Sequence, residues 1–262
     1  MDQPDLSAEL AFAHELADVA AKVTLPAFGG RLTVTTKADS TVVTDADVET
    51  ERAIRALVTA TFPDDGVHGE EDGRTEGRSG RTWVIDPIDG TLNYADGVPL
   101  WTTLLGLQVD GHTVLGVADA PALGVRYHAM RGHGAWCGDR RLRSSEVTQV
   151  SDALVLHSAT EEWVRAGRLD DLARVVTAAR RSRGLSDAWA HLLIAQGSAE
   201  VLLEHEPCFE WDWTATGVIL EEAGGRLTSL DGGPPVAGSG LLASNGAVHD
   251  ETLHLLGGAP QR

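Results

Sequence analysis

Cysteine is scarce in this sequence, with only Cys137 and Cys208 among 262 residues. Two thiols cannot build a disulfide framework, and no C-x-x-C or H-E-x-x-H spacing offers zinc a site. Basic residues are also short: 21 Lys and Arg stand against 39 Asp and Glu, a formal net charge of −18. A surface of that sign repels a nucleic-acid backbone and an anionic membrane, so neither is the expected partner. It does not exclude an anionic substrate, because bound metal ions invert the local field. No apolar run is long enough to span a bilayer, and the opening Met1-Asp2-Gln3-Pro4-Asp5 lacks the basic flank of a secretory leader. A cytoplasmic protein is expected. A G-x-S-x-G nucleophile elbow, a P-loop, internal repeats and a low-complexity linker are missing too.

What the chain does have is a core-forming composition, 42% hydrophobic with 23% charged, enough for one large domain or two subdomains. Its most informative stretch is Trp83-Val84-Ile85-Asp86-Pro87-Ile88-Asp89-Gly90-Thr91-Leu92-Asn93-Tyr94. Trp83, Val84 and Ile85 have the pattern of a short buried strand. Pro87 and Gly90 break it, so Asp86 and Asp89 emerge at a strand end on constrained backbone. Carboxylate oxygens suit Mg²⁺, and the constrained Ile88 carbonyl is a candidate extra ligand. A helix starting at Gly90 and Thr91 would offer free N–H groups to a phosphate. The plainer alternative is a structural turn, since Asp, Pro and Gly are ordinary turn residues. A calcium loop is disfavoured, because its D-x-[DN]-x-[DN]-G run and twelfth-position Glu are missing.

Around this stretch, apolar residues from Leu6 to Val23 recur every three or four positions, giving a helix that ends near Pro26 and Gly29-Gly30. Residues 31–36 alternate as a strand. A second helix with Ile54 and Leu57 inward follows, capped by Asp45 or Asp47. The acids Glu70, Glu71 and Asp72 repel one another unless solvent or a cation relieves them, so this segment is either a loop or a metal site. Residues 73–81 are expected to form a mobile surface loop. Residues 100–109 and 113–118 pair across the turn Asp110-Gly111, and residues 125–130 and 134–137 continue an antiparallel meander. Beyond a boundary near residue 150, a strand over 151–156, a helix over 160–180, a helix over 188–196 capped through Ser186 and Asp187, and a strand over 200–204 imply a second α/β layer system. Asp212, flanked by Trp211 and Trp213, is either a buried acid that needs a partner or the N-cap of a helix over 214–223.

The run W-V-I-D-P-I-D-G-T resembles the signature of the inositol monophosphatase superfamily, metal-dependent and lithium-sensitive phosphomonoesterases. Gly69-Glu70-Glu71 upstream, and Trp211-Asp212 with Glu222-Ala223-Gly224-Gly225 downstream, resemble two further boxes of that family in the right order. The resemblance implies a layered αβαβα sandwich, with residues 1–150 carrying most metal ligands and residues 151–262 adding Asp212 and the substrate side. It implies two or three Mg²⁺ ions on Glu70, Asp86, the Ile88 carbonyl, Asp89 and Asp212. Gly90 and Thr91 would bind phosphate, while Glu70, Thr91 and Asp47 orient and deprotonate the attacking water. Asp47 closes a K-x-D-x-T-x-V-T-x-A-D stretch that begins at Lys37.

A small-molecule phosphate ester is the expected partner and a homodimer the expected assembly. Val98-Pro99-Leu100-Trp101, Ser186-Asp187 and the run from Glu222 to Gly232 resemble the histidinol-phosphate phosphatase branch; a cyclitol, sugar or nucleotide monophosphate is the alternative. Substrate-side candidates are Trp101, Ser186, Asp187, Glu204, and Arg183 if it turns inward. In many family members a substrate-contacting Glu stands seven residues before the W-D aspartate. Here His205 holds that place between Glu204 and Glu206, and the flanking Ala195-Gln196-Gly197 favours Glu204.

Overall fold

A computed structural model describes residues 6–30, 32–36 and 42–257, with the side chain of Glu206 left out. Lys37, Asp39 and Thr41 of the stretch leading to Asp47 therefore lie outside the described residues. The chain opens with helix α1 (Ser7–Ala27), a two-stranded ribbon of β1 (Val34–Thr36) and β2 (Val42–Thr44), and helix α2 (Asp45–Thr61). Then come β3 (Gly66–Gly69), β4 (Gly73–Thr75), β5 (Arg81–Asp89), the short helix α3 (Thr91–Ala95), β6 (Thr102–Val109), β7 (His112–Ala120), β8 (Val125–Met130), β9 (Gly134–Cys137) and β10 (Arg140–Arg141). The remainder is β11 (Leu154–His157), α4 (Thr160–Arg165), α5 (Leu169–Ala178), β12 (Arg181–Gly184), α6 (Asp187–Ala195), β13 (Val201–Cys208), α7 (Glu210–Glu222), β14 (Arg226–Ser229), β15 (Ser239–Ser244) and α8 (His249–Leu255). Among the described residues no helix is long and apolar enough to cross a membrane.

Strands β3 to β10 form an eight-stranded sheet ordered β10-β9-β8-β7-β6-β5-β3-β4, antiparallel except where β3 runs parallel to β5. Strands β11 to β15 form a five-stranded mixed sheet ordered β12-β11-β13-β15-β14. Period-two alternation assigns the faces. Trp83, Ile85, Leu105, Leu107, Leu115 and Val117 pack against Phe12, Leu16, Ile54 and Val58 of α1 and α2. Leu104 and Ala118, one residue out of phase, meet α6 and α7 on the other face, together with Leu154, Leu156 and Leu202 of the smaller sheet. The far side of that sheet buries Val155, Val201 and Leu203 against Trp163, Leu172 and Leu253 of α4, α5 and α8. The result is the expected αβαβα layering.

Helix α7 can lie close on the large sheet because Gly106 and Gly116 are directly paired beneath it. A Cβ on Gly106 would overlap the Thr214 methyl, and one on Gly116 the Ala215 carbonyl. This close seating carries Asp212, at the start of α7, down toward β5.

Several local expectations are corrected. The strand at the signature does not stop at Ile85 but runs to Asp89, with its register broken between Asp86 and Asp89, where Pro87 has no N–H to give the ladder. The helix expected over 160–180 is two helices separated at Gly167, whose φ of +68° ends the first. The strand expected from residue 151 begins at Leu154, after a single 3₁₀ turn over Val150–Asp152. The segment expected as a loop over 73–81 begins with the edge strand β4. Thr44, not Asp45 or Asp47, caps α2, because it alone has extended φ and ψ just before the first turn.

Candidate active site

The broken register of β5 puts Asp86 and Asp89 at one end of the large sheet, where α7 brings Asp212. Ligand atoms of these three carboxylates all lie within 4.8 Å of one another. Asp212 is not a helix N-cap but sits at the third position of α7, where its Oδ2 accepts the Phe209 N–H at 2.6 Å. Asp89 Oδ2 accepts the Ala188 N–H of α6 at 2.8 Å, with the Thr102 hydroxyl at 3.4 Å. Asp86 is 2% exposed, and its Oδ1 is buried with no hydrogen-bond partner. Burial pushes all three carboxyls well above their ordinary range, and their mutual charges, with those of Glu70 and Asp187, push the same way. A buried, partnerless carboxylate oxygen inside a converging acid set fits a cation as its partner. Hard oxygens and no thiolate or imidazole suit Mg²⁺, so the donor set fits that ion.

Glu70 follows β3 and donates its backbone N–H to Ile85 O at 3.2 Å. It stands outside the three-carboxylate group, yet close enough for its charge to act on Asp86 and Asp212. Its segment is held by a residue that sequence reasoning missed. Glu51 of α2 is fully buried, accepts the Glu71 and Asp72 N–H groups at 2.7 and 3.0 Å, and pairs with Arg55 at 2.7 Å. Arg55 in turn donates to the Gly73 carbonyl. The available signal was spacing, since Glu51 lies one turn beyond Asp47 on the same helix face.

Asp47 Oδ2 accepts the backbone N–H and hydroxyl of Thr44 at 2.8 and 2.5 Å, and burial raises this carboxyl to about 6. The Thr91 hydroxyl is 3.0 Å from Ile88 O and 3.5 Å from Asp47 Oδ1. Its single proton serves one acceptor at a time, and the Ile88 carbonyl is the nearer. Gly90 holds φ at +81°, which turns the chain from β5 into α3, and a Cβ there would sit 3.1 Å from Leu100 O and 3.4 Å from Asp187 Oδ2.

A second acidic pair lies beside the first. Asp187 opens α6 with φ at +61°, rare for a residue with a side chain. Its N–H donates to Glu204 Oε1 at 3.0 Å, its Oδ1 accepts the Ser186 hydroxyl at 3.2 Å, and its Oδ2 accepts the Asn93 amide at 3.1 Å. Burial, and then the Glu204 charge, raise Asp187 to about 6. Glu204 is 3% exposed, with its Oε2 2.9 Å from His191 Nε2. Asn93 and His191 were also missed, although His191 stands four residues after Asp187 on one helix face.

Two candidates are not brought to the acids. Arg183 does not turn inward: it is exposed on the edge strand β12, where its guanidinium donates to Ser182 O. Trp101 is fully buried in a small cluster with Ala46, Ile88 and Tyr94, supporting Ile88 from beneath. His68 is in strand β3, not a loop, with its Nδ1 2.9 Å from Glu210 Oε2.

A layered sandwich with a buried carboxylate cluster at a sheet end has the donor set of a protein that works through hard metal ions. Residues 5–259 match the model of the Inositol monophosphatase family, and the chain belongs to it. Among curated proteins it is 41% identical to the histidinol-phosphatase of Streptomyces coelicolor, over 97% of this chain and 98% of that one. It is 39% identical to the histidinol-phosphatase of Mycobacterium tuberculosis, over 94% and 96% of the two chains. The solved extragenic suppressor protein suhB from Bartonella henselae superposes with a TM-score of 0.89 at 25% identity, covering 95% of this chain and 98% of that one.

Proposed function

We infer that this chain is a Mg²⁺-dependent histidinol-phosphatase, hydrolysing the phosphate ester by direct attack of water. The observation that carries the chemistry is the convergence of Asp86, Asp89 and Asp212 around a partnerless buried oxygen. Asp86, Asp89, Asp212, Glu70 and the Ile88 carbonyl are the residues that would hold two or three ions. Magnesium bound there supplies Lewis-acid charge that acidifies a water and offsets the charge of the phosphate. The Gly90 and Thr91 N–H groups bind phosphate oxygens, and the Thr91 hydroxyl, backed by Asp47, orients the water. Water oxygen bonds to phosphorus, the ester O–P bond breaks in line, one water proton passes to Glu70 while the other stays on the phosphate, and the leaving alkoxide takes a proton from a solvent water. Glu70 begins as the base and needs no covalent phosphoenzyme.

The substrate side of the reading rests on the relatives and on charge. Histidinol phosphate carries an ammonium group on its leaving alcohol. Asp187 and Glu204, with Ser186 beside them, are two carboxylates next to the phosphate seat, which suits a cation better than a neutral cyclitol. Arg183 and Trp101 drop out of the substrate contacts because of where they lie. A homodimer in the cytoplasm completes the reading. Phosphate release from histidinol phosphate, inositol 1-phosphate, a sugar phosphate and a bisphosphorylated nucleotide tests it. We expect the highest kcat/KM for histidinol phosphate. A preference for inositol phosphate or the nucleotide would overturn the substrate, while leaving the hydrolytic chemistry standing.

A further inference from the structure

We propose that His191 is a specificity-setting positioning residue, which fixes the Glu204 carboxylate so that Glu204 and Asp187 together seat the cationic group of the leaving alcohol. The proposal rests on the cationic-ester reading above and adds a residue to which neither the family signature nor the Mg²⁺ cluster gives a role.

The imidazole is 2% exposed and has one polar partner, Glu204 Oε2, 2.9 Å from its Nε2. Its Nδ1 is buried with none. Those two facts choose the tautomer. A proton on Nε2 gives the carboxylate a donor and leaves only a bare lone pair at Nδ1. Any form protonated at Nδ1 would bury an unpaired N–H, a dearer omission. The geometry therefore places a donor N–H of His191 at Nε2, against Glu204 Oε2.

Glu204 is then held at both oxygens, by the Asp187 N–H on Oε1 and by His191 on Oε2. Two donors, one on each oxygen, leave this buried carboxylate one rotamer. The bond at Oε1 does more. It grips the backbone of Asp187, whose φ of +61° persists only if its surroundings impose it. The Asp187 side chain is tied in turn to Asn93, and its Oδ2 would be 3.4 Å from a Cβ on Gly90. One contiguous set of contacts therefore runs from His191 through Glu204 and Asp187 to the phosphate loop.

Among the described residues neither Asp187 nor Glu204 makes an ion pair with Lys or Arg, and the carboxylates of Glu204 and Glu162 add negative charge near Asp187. Two carboxylates with no Lys or Arg paired to them among the described residues, one with both oxygens fixed, form a seat for an ammonium ion. A substrate without a cation has no use for His191. That asymmetry separates a positioning role from a merely structural one.

The test compares wild type, His191→Leu and His191→Gln on histidinol phosphate and inositol 1-phosphate. With Leu we expect KM for histidinol phosphate to rise about tenfold or more, the loss of a charge-assisted contact, and kcat to stay within about threefold. The KM for inositol 1-phosphate should rise far less. Gln, which returns an N–H near the Nε2 position, should restore most of the loss. Should Leu not fold, ¹⁵N spectra of the wild-type imidazole replace it: a protonated Nε2 is expected, its signal shifting when histidinol is added and not when inositol is. An equal rise of KM for both esters in the Leu variant, or an imidazole indifferent to histidinol, overturns the role of His191 alone. A wild type that does not discriminate between the esters overturns the substrate reading and this inference with it.

Discussion

Replacing Asp86 by Asn should make the metal-free protein more stable and nearly inactive at once. Asp86 is 2% exposed, and its Oδ1 has no partner. Its ligand atom lies within 4.8 Å of those of Asp89 and Asp212. At that separation, like charges repel by roughly 3.5 kcal/mol at an effective dielectric of about 20. Without a cation the three carboxyls avoid this by holding protons, so each titrates above its ordinary range. The sign follows: between the ordinary and the raised value the unfolded chain binds fewer protons than the folded one, so metal-free stability falls as pH rises through that window. Asn removes one member of the set and keeps its shape. In EDTA at pH 8 the variant should be stabilised by about 2–4 kcal/mol, the scale of one such repulsion. Mg²⁺ should raise the Tm of the wild type, more at pH 8 than at pH 5, and scarcely raise that of Asp86→Asn. At saturating Mg²⁺ the loss of a ligand should cost about 4 kcal/mol of transition-state stabilisation, roughly a thousandfold in kcat. Thermal unfolding with and without Mg²⁺, and phosphate release, read both halves. A variant less stable than wild type in EDTA at pH 8, or one with near-normal kcat, would refute the metal-site assignment.

Two further outcomes follow from the same geometry. Turnover should need Mg²⁺, which a hard-oxygen site suits, and fall with Ca²⁺, which competes for the same oxygens, while a fall with Li⁺ is what the resemblance to the lithium-sensitive superfamily implies; full activity in excess EDTA would contradict the metal requirement. Glu51→Gln keeps one carbonyl acceptor, enough for only one of the Glu71 and Asp72 N–H groups that now bond to separate oxygens, and loses the charge paired with Arg55. It should weaken Mn²⁺ binding, measured by calorimetry, by about tenfold, the scale of one misplaced ligand support, and leave inositol-to-histidinol ester selectivity unchanged. Unaltered Mn²⁺ affinity in a folded variant would show that the clamp on the Glu70 segment does not reach the metal site.

Much of the fold was legible because its elements announce themselves locally. The 3.6-residue pattern of α1, the Asp110-Gly111 turn between β6 and β7, and the signature strand need no tertiary knowledge. The misses share a cause. At 160–180 the apolar period continues across Gly167, and only a left-handed φ separates α4 from α5. At α2 and α7 the acids Asp47 and Asp212 are cap-type residues within three positions of a helix start. Sequence cannot tell which of several such residues takes the extended conformation and which sits at the third helical position. Glu51 and His191 escaped for another reason. A buried polar residue on a helix face has a sequence pattern like that of an exposed one, and its partners, Glu71 and Glu204, come from distant segments. Arg183 is the converse: with Arg180 and Arg181 it forms a basic group in an acidic chain, yet edge-strand placement leaves it in solvent.

The position of Asp47 and Asp212 within their helices also explains how so many acids coexist in one place. Each spends its Oδ2 on the N–H of the residue preceding its helix, Asp47 on Thr44 and Asp212 on Phe209. Asp89 does the equivalent with Ala188 in the first turn of α6. Three helices thus bring N-terminal N–H groups and the positive ends of their dipoles to the cluster, offsetting part of its charge before any metal binds. One oxygen of each of these carboxylates is committed to orientation and the other is left to ligate or to orient a hydroxyl, as Asp47 Oδ1 does toward Thr91. Asp86, held by strand β5 and by no helix, lacks such a donor. It is accordingly the carboxylate with an orphaned oxygen, and the one whose neutralisation should release the most strain from the metal-free fold.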